Sequence, residues 1–584
     1  MPESESLEIQ RRPPFSRVMQ TKPWRSFAYY LLAYCGIVAS RLPLIFWPPS
    51  ALLYNVDELD LTLGAVDPFL GAPPTNLHWP GTFLHLLFLP LLGIDYLLHM
   101  GLRSGVSANL TQWVLYLGEV YRHPAHVLSL MRLVGLLVSS VLPLVLFSLL
   151  RLLSISRTTA VIYTIAAVVT PLMVQHSVMA TGDVMSITLA FMSLALVVRY
   201  PHLSWREVAA GILMAAAVSC KLTSLNLVAA PIVYLLAENG EAPLVARVLR
   251  VFRLAVGFAA GLLMFFPYLW TDPFRTAKAI VGNVDKLGSH ADLGAFLKIW
   301  SQAAGIAILA LTLVAWLLLP IGMRDRQRRP MILALGTSFL LVAAPLLLRA
   351  TTTFGRYYLP LVPLGVLLLA ATCSALKWET VRRVFLAGST IVLVVACGAG
   401  LIGTMQGERL LRADHSLPIA LRQAEQISGA GEMFVPEQAR LAGLEIPPAT
   451  YDRIHSRLVE ELSRKQGLSA YLEARGLPPT AASTFESAFD EKERAAIARA
   501  NAMRISSRDM ASDTPIVLWC DYESSAEIII ERTAICEVDR NQVRRLFLSS
   551  PGAVILVPKP DSTLGEPLFG GGERWVWYRN TLAR

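Results

Sequence analysis

Charged residues are scarce in this chain. Asp, Glu, Lys and Arg make up only 16% of its 584 residues, whereas 54% are hydrophobic and the mean hydropathy is +0.49. Soluble globular domains usually have about 25% charged residues. The scarcity of charge therefore excludes a soluble protein of this length and predicts a polytopic membrane protein.

Cysteine is also scarce, with six residues in the chain. Cys520 and Cys536 lie in the polar C-terminal part, where an outer compartment would allow a disulfide; the sequence leaves open whether the two cysteines form one. The sequence has no zinc-ligand spacing, no Walker loop, no G-x-S-x-G motif and no internal repeat, so none of these assigns a chemistry. The other four cysteines lie in apolar runs and are expected to pack as small hydrophobic groups: Cys35, Cys220, Cys373 and Cys397.

The apolar runs predict the membrane topology. Two runs, 80–98 and 208–237, are ambiguous by length, but short cytoplasmic loops carry an excess of Lys and Arg. All the basic clusters lie inside only if 80–98 does not cross and 208–237 crosses twice, turning near Lys221; the reverse assignment would move two of them outside. The sequence thus predicts about eleven spans. The nine unambiguous runs are 27–47, 127–150, 158–175, 184–198, 251–270, 299–321, 331–348, 357–376 and 384–404.

This topology divides the chain into three parts. Residues 1–25 form a cytoplasmic tail, 26–404 a transmembrane module, and 405–584 a soluble domain on the outer side. Within the module, residues 48–126 form one large outer loop, and 79–98 is expected to be a helix that lies along the membrane surface or dips into it.

The C-terminal domain has mixed patterns. Residues 451–471 have helical spacing of apolar and charged residues. Residues 515–520, 527–530 and 553–557 are rich in β-forming residues and bounded by turn residues. We therefore expect an α/β or α+β fold for this domain.

Carboxylates stand at two points on the predicted outer face. Asp57 and Glu58 follow the first span, where one of them could act as a general base, although a solvated acidic loop would have the same sequence. Asp183 follows a connection between the third and fourth spans that is too short to leave the membrane surface. It could cap the fourth helix, bind a ligand, or do both, and His176 is a candidate partner.

Cations gather on the same face. Lys221 interrupts the apolar run 208–237, and Arg356 precedes Tyr357 at the start of the tenth span. An ionisable group at bilayer depth costs roughly 2.5–3.5 kcal/mol on insertion scales, so each needs a reason to be there. Lys221 would fit helix C-terminal carbonyls or a phosphate, and Arg356 would fit either snorkelling to the surface or a phosphate.

The order of these residues resembles that of the GT-C superfamily of integral-membrane glycosyltransferases, in the branch of the protein O-mannosyltransferases and the aminoarabinose transferases of lipid A. The resemblance covers about the first 400 residues. Its motifs are the acidic pair in the first outer loop, a surface helix introduced by His78-Trp79-Pro80-Gly81, Arg132 in the second span, Asp183, Lys221, and Arg356-Tyr357-Tyr358-Leu359-Pro360.

The resemblance implies a polyprenyl-phosphate-linked sugar as donor and an inverting transfer to an acceptor hydroxyl at the outer face. Asp57 matches the catalytic acid of the family and would be the general base, while Glu58 would orient the acceptor or Asp57. Lys221 and Arg356 would stabilise the leaving polyprenyl phosphate.

The remaining candidate contacts also come from the resemblance. Asp183 and Tyr357 are expected to contact substrate. The lipid A branch has an acid-Lys-Pro motif where this chain has His78-Trp79-Pro80, so His78 would replace that phosphate contact. Members of the family differ in their need for a divalent metal; Asp183 or the acidic pair could be ligands, but no fixed metal and no other cofactor is expected.

The acceptor is left open among a lipid, a glycan and a protein. The net charge of +9 is explained by cytoplasmic loops, so no nucleic-acid partner is expected. The composition suits a bacterial inner membrane with the active site and C-terminal domain outside. Two other classes fit the sequence less well: a secondary transporter, which commonly shows repeated halves, and a non-catalytic cell-envelope scaffold.

Overall fold

The protein is described from a computed structural model. The described residues are 23–46, 57–66, 81–103, 113, 116–117, 120, 124–201, 203, 205–238, 243–285, 291–348, 355–413, 515–517, 554–557, 567–570 and 576–579. The predicted helix 451–471, the predicted strand 527–530, and His78, Cys520 and Cys536 lie outside them.

The membrane module consists of eighteen described α-helices and three 3-10 helices. The α-helices are α1 Pro23–Arg41, α2 Asp57–Gly64, α3 Thr82–Arg103, α4 Pro124–Ser139, α5 Leu142–Leu152, α6 Arg157–Val168, α7 Pro171–His176, α8 Asp183–Arg199, α9 Arg206–Cys220, α10 Ala229–Ala237, α11 Leu244–Phe265, α12 Tyr268–Thr271, α13 Pro273–Asp285, α14 Leu293–Ala304, α15 Ile306–Gly322, α16 Arg329–Leu348, α17 Leu361–Ser374 and α18 Glu379–Ala413. The 3-10 helices are Leu42–Phe46, Leu222–Leu227 and Gly355–Tyr358.

Helix length and composition confirm a polytopic α-helical membrane protein. In the described part of the chain, seven helices are long and apolar enough to cross a membrane, or eight if the bent pair α14 and α15 is one span. Other predicted spans consist of shorter apolar helices, such as α6 and the segment 222–237. The total of about eleven therefore stays a prediction.

Glycine and proline break several of the predicted runs. The run 158–175 divides into α6 and α7 at Thr170-Pro171, since proline ends the preceding helix. The run 299–321, predicted as a span, is not one continuous helix: α14 and α15 meet at Gly305 and are bent by 114°. Gly305 has φ 83° and ψ 144°, a backbone conformation that is essentially restricted to glycine.

The run 208–237 breaks at Lys221, near the predicted turn, whereas its two crossings of the membrane stay a prediction. Helix α9 ends at Cys220, Lys221 is extended, and the 3-10 helix Leu222–Leu227 leads into α10. The predicted surface helix is found as α3, which also has the length and composition of a span, so its orientation stays a prediction. Helix α18 continues past the predicted boundary at 404 and ends at Ala413.

The core of the bundle surrounds α17, in which every residue is buried. A helix that is apolar on all sides must be enclosed by other helices or by lipid, and here helices α5, α6, α14, α15, α16 and α18 contact it. By contrast, only 6% of the apolar window of α1 and 11% of that of α18 is buried. These two helices lie at the periphery of the bundle.

Cysteine burial agrees with the expected packing for Cys220 and Cys373, which are buried, and in part for Cys397. For Cys35 the expectation was wrong, because its side chain is exposed. It lies on the peripheral helix α1, whose apolar surface is that of a lipid-facing span rather than of a packed core.

Helices α9 and α11 approach so closely that their backbones touch. A Cβ atom at Gly257 would lie 2.0 Å from the carbonyl oxygen of Val208, and one at Gly211 would lie 2.1 Å from that of Leu254. Gly257 and Gly261 form the small-xxx-small spacing that allows helices to pack closely in membranes. Because α9 ends beside Lys221, this contact fixes one wall of the site described below.

The described C-terminal strands form one mixed sheet of order β1-β2-β4-β3, with β1 Pro515–Val517, β2 Val554–Val557, β3 Pro567–Gly570 and β4 Val576–Arg579. Strands β1 and β2 pair in parallel, whereas β4 pairs antiparallel with β2 and β3. Strands were predicted at β1 and β2 and are confirmed there. Strands β3 and β4 were not predicted.

Replacing Gly257 by Ala is expected to destabilise the bundle by about 1–3 kcal/mol, because the new methyl group would overlap a backbone oxygen that cannot move independently of α9. Thermal unfolding in nanodiscs, followed by near-UV circular dichroism, would measure the loss.

Gly398→Ala is the matched control. Gly398 is also within a helix, but a Cβ there would meet no described atom within 4 Å. We expect its unfolding temperature to stay the same or rise slightly, since Ala favours helix over Gly. Equal shifts for the two variants would show that the α9 and α11 backbones are not in contact.

Candidate functional site

Helix α2 presents the acidic pair. It begins at Asp57, and carboxylates are favoured at a helix N-terminus because the backbone N–H groups there carry partial positive charge. Glu58 is completely buried, and Thr62 Oγ1 donates a hydrogen bond to its carbonyl oxygen at 2.7 Å. The side chain of Asp57 lies outside the described atoms.

The carboxylate of Glu58 forms a two-point ion pair with Arg132 of α4. Arg132 Nε lies 2.9 Å from Oε1 and Nη2 lies 2.7 Å from Oε2, and both side chains are buried. The backbone N–H of Ala180 also donates to Oε1, at 2.9 Å. Glu58 therefore joins the loop helix α2 to the second predicted span and to the connection between α7 and α8.

These bonds restrict the role of Glu58. Both of its oxygens accept hydrogen bonds from protein groups. Of the two roles that the sequence left open for Glu58, orienting Asp57 fits these contacts better than holding an acceptor. A fixed Glu58 fixes the first turn of α2, in which Asp57 is its neighbour.

The second carboxylate, Asp183, pairs with Lys221. Asp183 Oδ1 accepts a hydrogen bond from Lys221 Nζ, and Oδ2 lies 3.5 Å from Nδ1 of His176. All three side chains are buried. The alternative that Asp183 caps α8 was wrong, because Gly182 is the N-cap, at φ 72°, and α8 has no side-chain cap bond.

The ring of Tyr357 lies beside both cations of the predicted set. Lys221 Nζ is 5.0 Å from the ring centroid and Arg356 Cζ is 5.6 Å from it, within the range of cation–π contacts. Arg356 and Lys221 are both buried. The sum of the two distances places the charges no more than about 11 Å apart, so their repulsion is at least about 1.5 kcal/mol at an effective dielectric constant of 20.

The arrangement around Asp183 favours its ionised form. Burial by itself raises the pKa of this carboxyl, which stands at the head of α8 just before the apolar run, but Lys221, His176 and Arg356 lower it by more. The net pKa lies below its ordinary value. Asp183 is therefore an anion that holds the Lys221 ammonium group in place.

Aromatic side chains pack against the 3-10 helix Gly355–Tyr358, which carries Arg356, and hold it in place. Tyr358 is fully buried, and its ring centroid lies 5.4 Å from that of Phe296 on α14. Trp300, one turn later on α14, contacts Phe339 of α16 at 5.4 Å. The short helix α14 before the Gly305 bend thus supports the segment that presents Arg356 and Tyr357.

The structure therefore brings four of the predicted residues into one cluster: Asp183, Lys221, Arg356 and Tyr357. Glu58 joins the same region through Ala180, which precedes Asp183 by three residues. Three residues extend at most about 11 Å, so α2 lies beside the cluster. His78 is outside the described residues.

The described residues do not form a recognisable metal site. Among them, no group of three or more His, Cys, Asp and Glu side chains is close enough to hold a metal ion. Asp183, which the sequence left open as a metal ligand, has its Oδ1 on Lys221 and its Oδ2 near His176.

Sequence analysis missed the partner of Arg132. Glu58 and Arg132 are 74 residues apart, and no local spacing connects them. The signal was nonetheless present, because an arginine within an apolar run must be paired if the span is buried. This rule requires a carboxylate partner for Arg132 but does not choose Glu58 among the acidic residues of the chain.

Comparisons with known proteins give few matches. No protein-family model matches the sequence, and no curated protein matches it. Two similar solved structures are crystal structures of ArnT from Cupriavidus metallidurans, one in the apo state and one bound to undecaprenyl phosphate. The identities are 14% and 13%, each comparison covers 95% of this chain and 98% of the other, and the TM-score is 0.36 in both. Similarity of this degree assigns no residue role to this chain.

Replacing Glu58 by Gln is expected to cost about 3–5 kcal/mol of stability, because it leaves the Arg132 guanidinium buried without its counter-charge. Thermal unfolding in nanodiscs would measure this. The double variant Glu58→Gln with Arg132→Met should recover a large part of the loss, since it removes both charges.

The exposed pair between Glu379 and Arg382 on α18 supplies the control. Glu379→Gln should change stability by at most about 1 kcal/mol, since water screens the pair. If Glu58→Gln and Glu379→Gln lowered the unfolding temperature equally, the Glu58–Arg132 ion pair would not be a buried contact that stabilises the bundle.

Proposed function

We propose that this chain is a membrane glycosyltransferase that moves a sugar from a polyprenyl-phosphate donor to an acceptor hydroxyl at the outer face of the membrane. The family resemblance of the motifs suggested this reaction. The observation that carries the proposal is that Glu58, in the first turn of α2, accepts the Ala180 N–H of the connection that leads directly into Asp183, and that Asp183 pairs with Lys221.

The cluster has the chemistry of a phosphate site. Lys221 and Arg356 are buried cations that flank one aromatic ring, and a guanidinium group matches phosphate oxygens in two-point hydrogen bonds. An anion bound between the two cations would relieve their mutual repulsion. Because the cluster lies within a bundle of apolar helices, an anion attached to a long apolar chain could reach it from the bilayer.

The stabilisation of the leaving phosphate by one of these cations can be calculated approximately. A cation about 4 Å from a phosphate oxygen, at an effective dielectric constant of about 20, contributes on the order of 4 kcal/mol. If this acts mainly as the leaving phosphate gains charge, the rate increases by about a thousandfold. Asp183 would hold Lys221 in the position that this requires.

The first turn of α2 would supply the general base. As the acceptor oxygen forms its bond to the anomeric carbon, Asp57 takes the hydroxyl proton, and the bond from the anomeric carbon to the phosphate oxygen breaks. The electron pair leaves with polyprenyl phosphate, whose negative charge faces Lys221 and Arg356. A single displacement of this kind inverts the anomeric configuration.

The proposal places the site on the outer side of a bacterial inner membrane, with the domain after the membrane module on the same side. The donor lipid lies in the bilayer, and the acceptor is a lipid, a glycan or a protein. No nucleic acid takes part. His78 would contact the donor phosphate from the outer loop.

Replacing Asp57 by Asn is expected to lower sugar transfer by about 10²–10⁴-fold without changing membrane insertion, because Asn cannot accept the proton. The assay uses purified protein in nanodiscs with a panel of radiolabelled polyprenyl-phosphate sugars. Asp60→Asn, in the same helix, is the matched control and should retain activity.

The result separates the proposal from the other classes. If the protein is a non-catalytic scaffold, the wild type will transfer sugar from none of the donors. Transfer by the wild type that persists in Asp57→Asn would exclude Asp57 as the general base.

Replacing Lys221 by Ala is expected to lower the turnover number by about a thousandfold, since the leaving phosphate loses one counter-charge. Lys298→Ala, an exposed lysine on α14, is the control and should leave turnover unchanged.

A further variant separates folding from catalysis. Lys221→Ala leaves Asp183 as a buried carboxylate, so Lys221→Met combined with Asp183→Asn, which removes both charges, is measured beside it. A stable double variant with normal turnover would rule out the phosphate role of Lys221.

A further inference from the structure

Another buried cation lies at the end of α1. Arg41 is the last residue of this helix, and its side chain is buried although the helix itself is peripheral. Its Nη1 donates to Ser177 Oγ at 2.9 Å, and its Nη2 donates to the carbonyl oxygen of Val168 at 3.3 Å. Val168 is the last residue of α6, where carbonyl groups lack helical partners.

The position of Ser177 gives this contact its importance. Residues 177–182 form the buried connection between α7 and α8. His176 stands at one end of the connection and Asp183 at the other, and their side chains are 3.5 Å apart. Any movement of the connection would therefore move the carboxylate that holds Lys221.

Other contacts hold the middle of the same connection. Glu58 accepts the Ala180 N–H, and a Cβ at Gly135 of α4 would lie 3.0 Å from the carbonyl oxygen of Met179. Val178 and Met179 also pack into a small buried cluster with Ile45 and Leu136. Arg41 is the contact that ties the beginning of the connection to α1 and to the end of α6.

The shape of the guanidinium group suits this task. It presents several N–H donors in one rigid plane, so it can bond to Ser177 and to Val168 at once, whereas a lysine ammonium on a flexible stem cannot reproduce both bonds in fixed geometry. Its charge is compensated by the Ser177 hydroxyl and by the Val168 carbonyl, which lies at the negative end of the α6 dipole.

We infer that Arg41 is a positioning residue for the site: it fixes residues 177–182 so that Asp183 holds the Lys221 ammonium group where a donor phosphate binds. The catalytic part of this inference rests on the proposed function, whereas the fixing of the connection does not. Arg41 itself touches no reacting atom in this scheme. It acts through Ser177, the connection and Asp183.

The first test needs no activity. Hydrogen–deuterium exchange of the peptide that covers residues 177–182 is measured in nanodiscs for the wild type and for Arg41→Lys. We expect exchange in this peptide to accelerate by roughly tenfold or more, since the connection loses a charged hydrogen bond. Ser177→Ala, which removes the acceptor and keeps the guanidinium, should have the same effect.

A second arginine offers a matched control. Arg199 at the end of α8 donates through Nη1 to Ser148 Oγ of α5 at 2.8 Å, the same type of bond between two helices but away from the connection. Arg199→Lys should leave exchange of residues 177–182 unchanged. Unchanged exchange in Arg41→Lys and Ser177→Ala, or equal acceleration in Arg199→Lys, would overturn the inference.

The second test measures sugar transfer by the same variants. We expect the kcat of Arg41→Lys and Ser177→Ala to fall by about 10–100-fold with little change in KM, because a small displacement of Lys221 acts on the reacting geometry. The effects should not add in the double variant. A purely structural role would lower thermal stability and leave kcat per folded molecule unchanged, and that result would overturn the catalytic part.

The exchange measurement and the transfer assay can fail independently, so they separate the role of Arg41 from the proposed function. If the wild type transfers sugar from no donor, the proposed function fails, while the exchange measurement still decides whether Arg41 fixes the connection. If exchange accelerates in both variants but kcat is unchanged, the connection is fixed by Arg41 and that fixation does not serve the transfer.

Discussion

The carboxylate of Glu58 is shielded from water, and separate elements of the membrane module supply its hydrogen bonds. Two nitrogen atoms of Arg132 and the N–H of Ala180 supply the hydrogen bonds that water would otherwise give. In a low-dielectric interior such bonds are obligatory, because an unpaired buried charge costs several kcal/mol. One requirement of electrostatics thereby fixes three separate elements, the loop helix, the second predicted span and the connection before Asp183, relative to one another.

Much of the module was predictable because a bilayer enforces simple rules. Helix runs of spanning length, the break at Lys221 and the helix near residues 82–98 all followed from hydropathy and from the placement of Lys and Arg. So did the gathering of Asp183, Lys221, Arg356 and Tyr357, since each lies at a span end on the predicted outer face. Residues that must leave the hydrocarbon on the same side are brought near one another by topology alone.

What the sequence did not predict depends on contacts between distant segments. Nothing local indicates that Glu58 pairs with Arg132 or that Arg41 bonds to Ser177, because hydropathy places a charge at a depth without choosing its neighbour. The 114° bend at Gly305 was missed because it lies within an apolar run of spanning length, and hydropathy does not show a change of direction. Strand β3 was missed because its terminal residues, Pro567 and Gly570, are typical of turns rather than of strands.

The complete burial of α17 has a consequence for how the protein is made. A helix without a lipid-facing side must first cross the bilayer as a free apolar span and be enclosed afterwards by helices on every side, including α18, which is synthesised later. The segment that carries Arg356 and Tyr357 directly precedes α17 and enters the bundle with it. The cation site is thus complete only after α17 has entered the bundle.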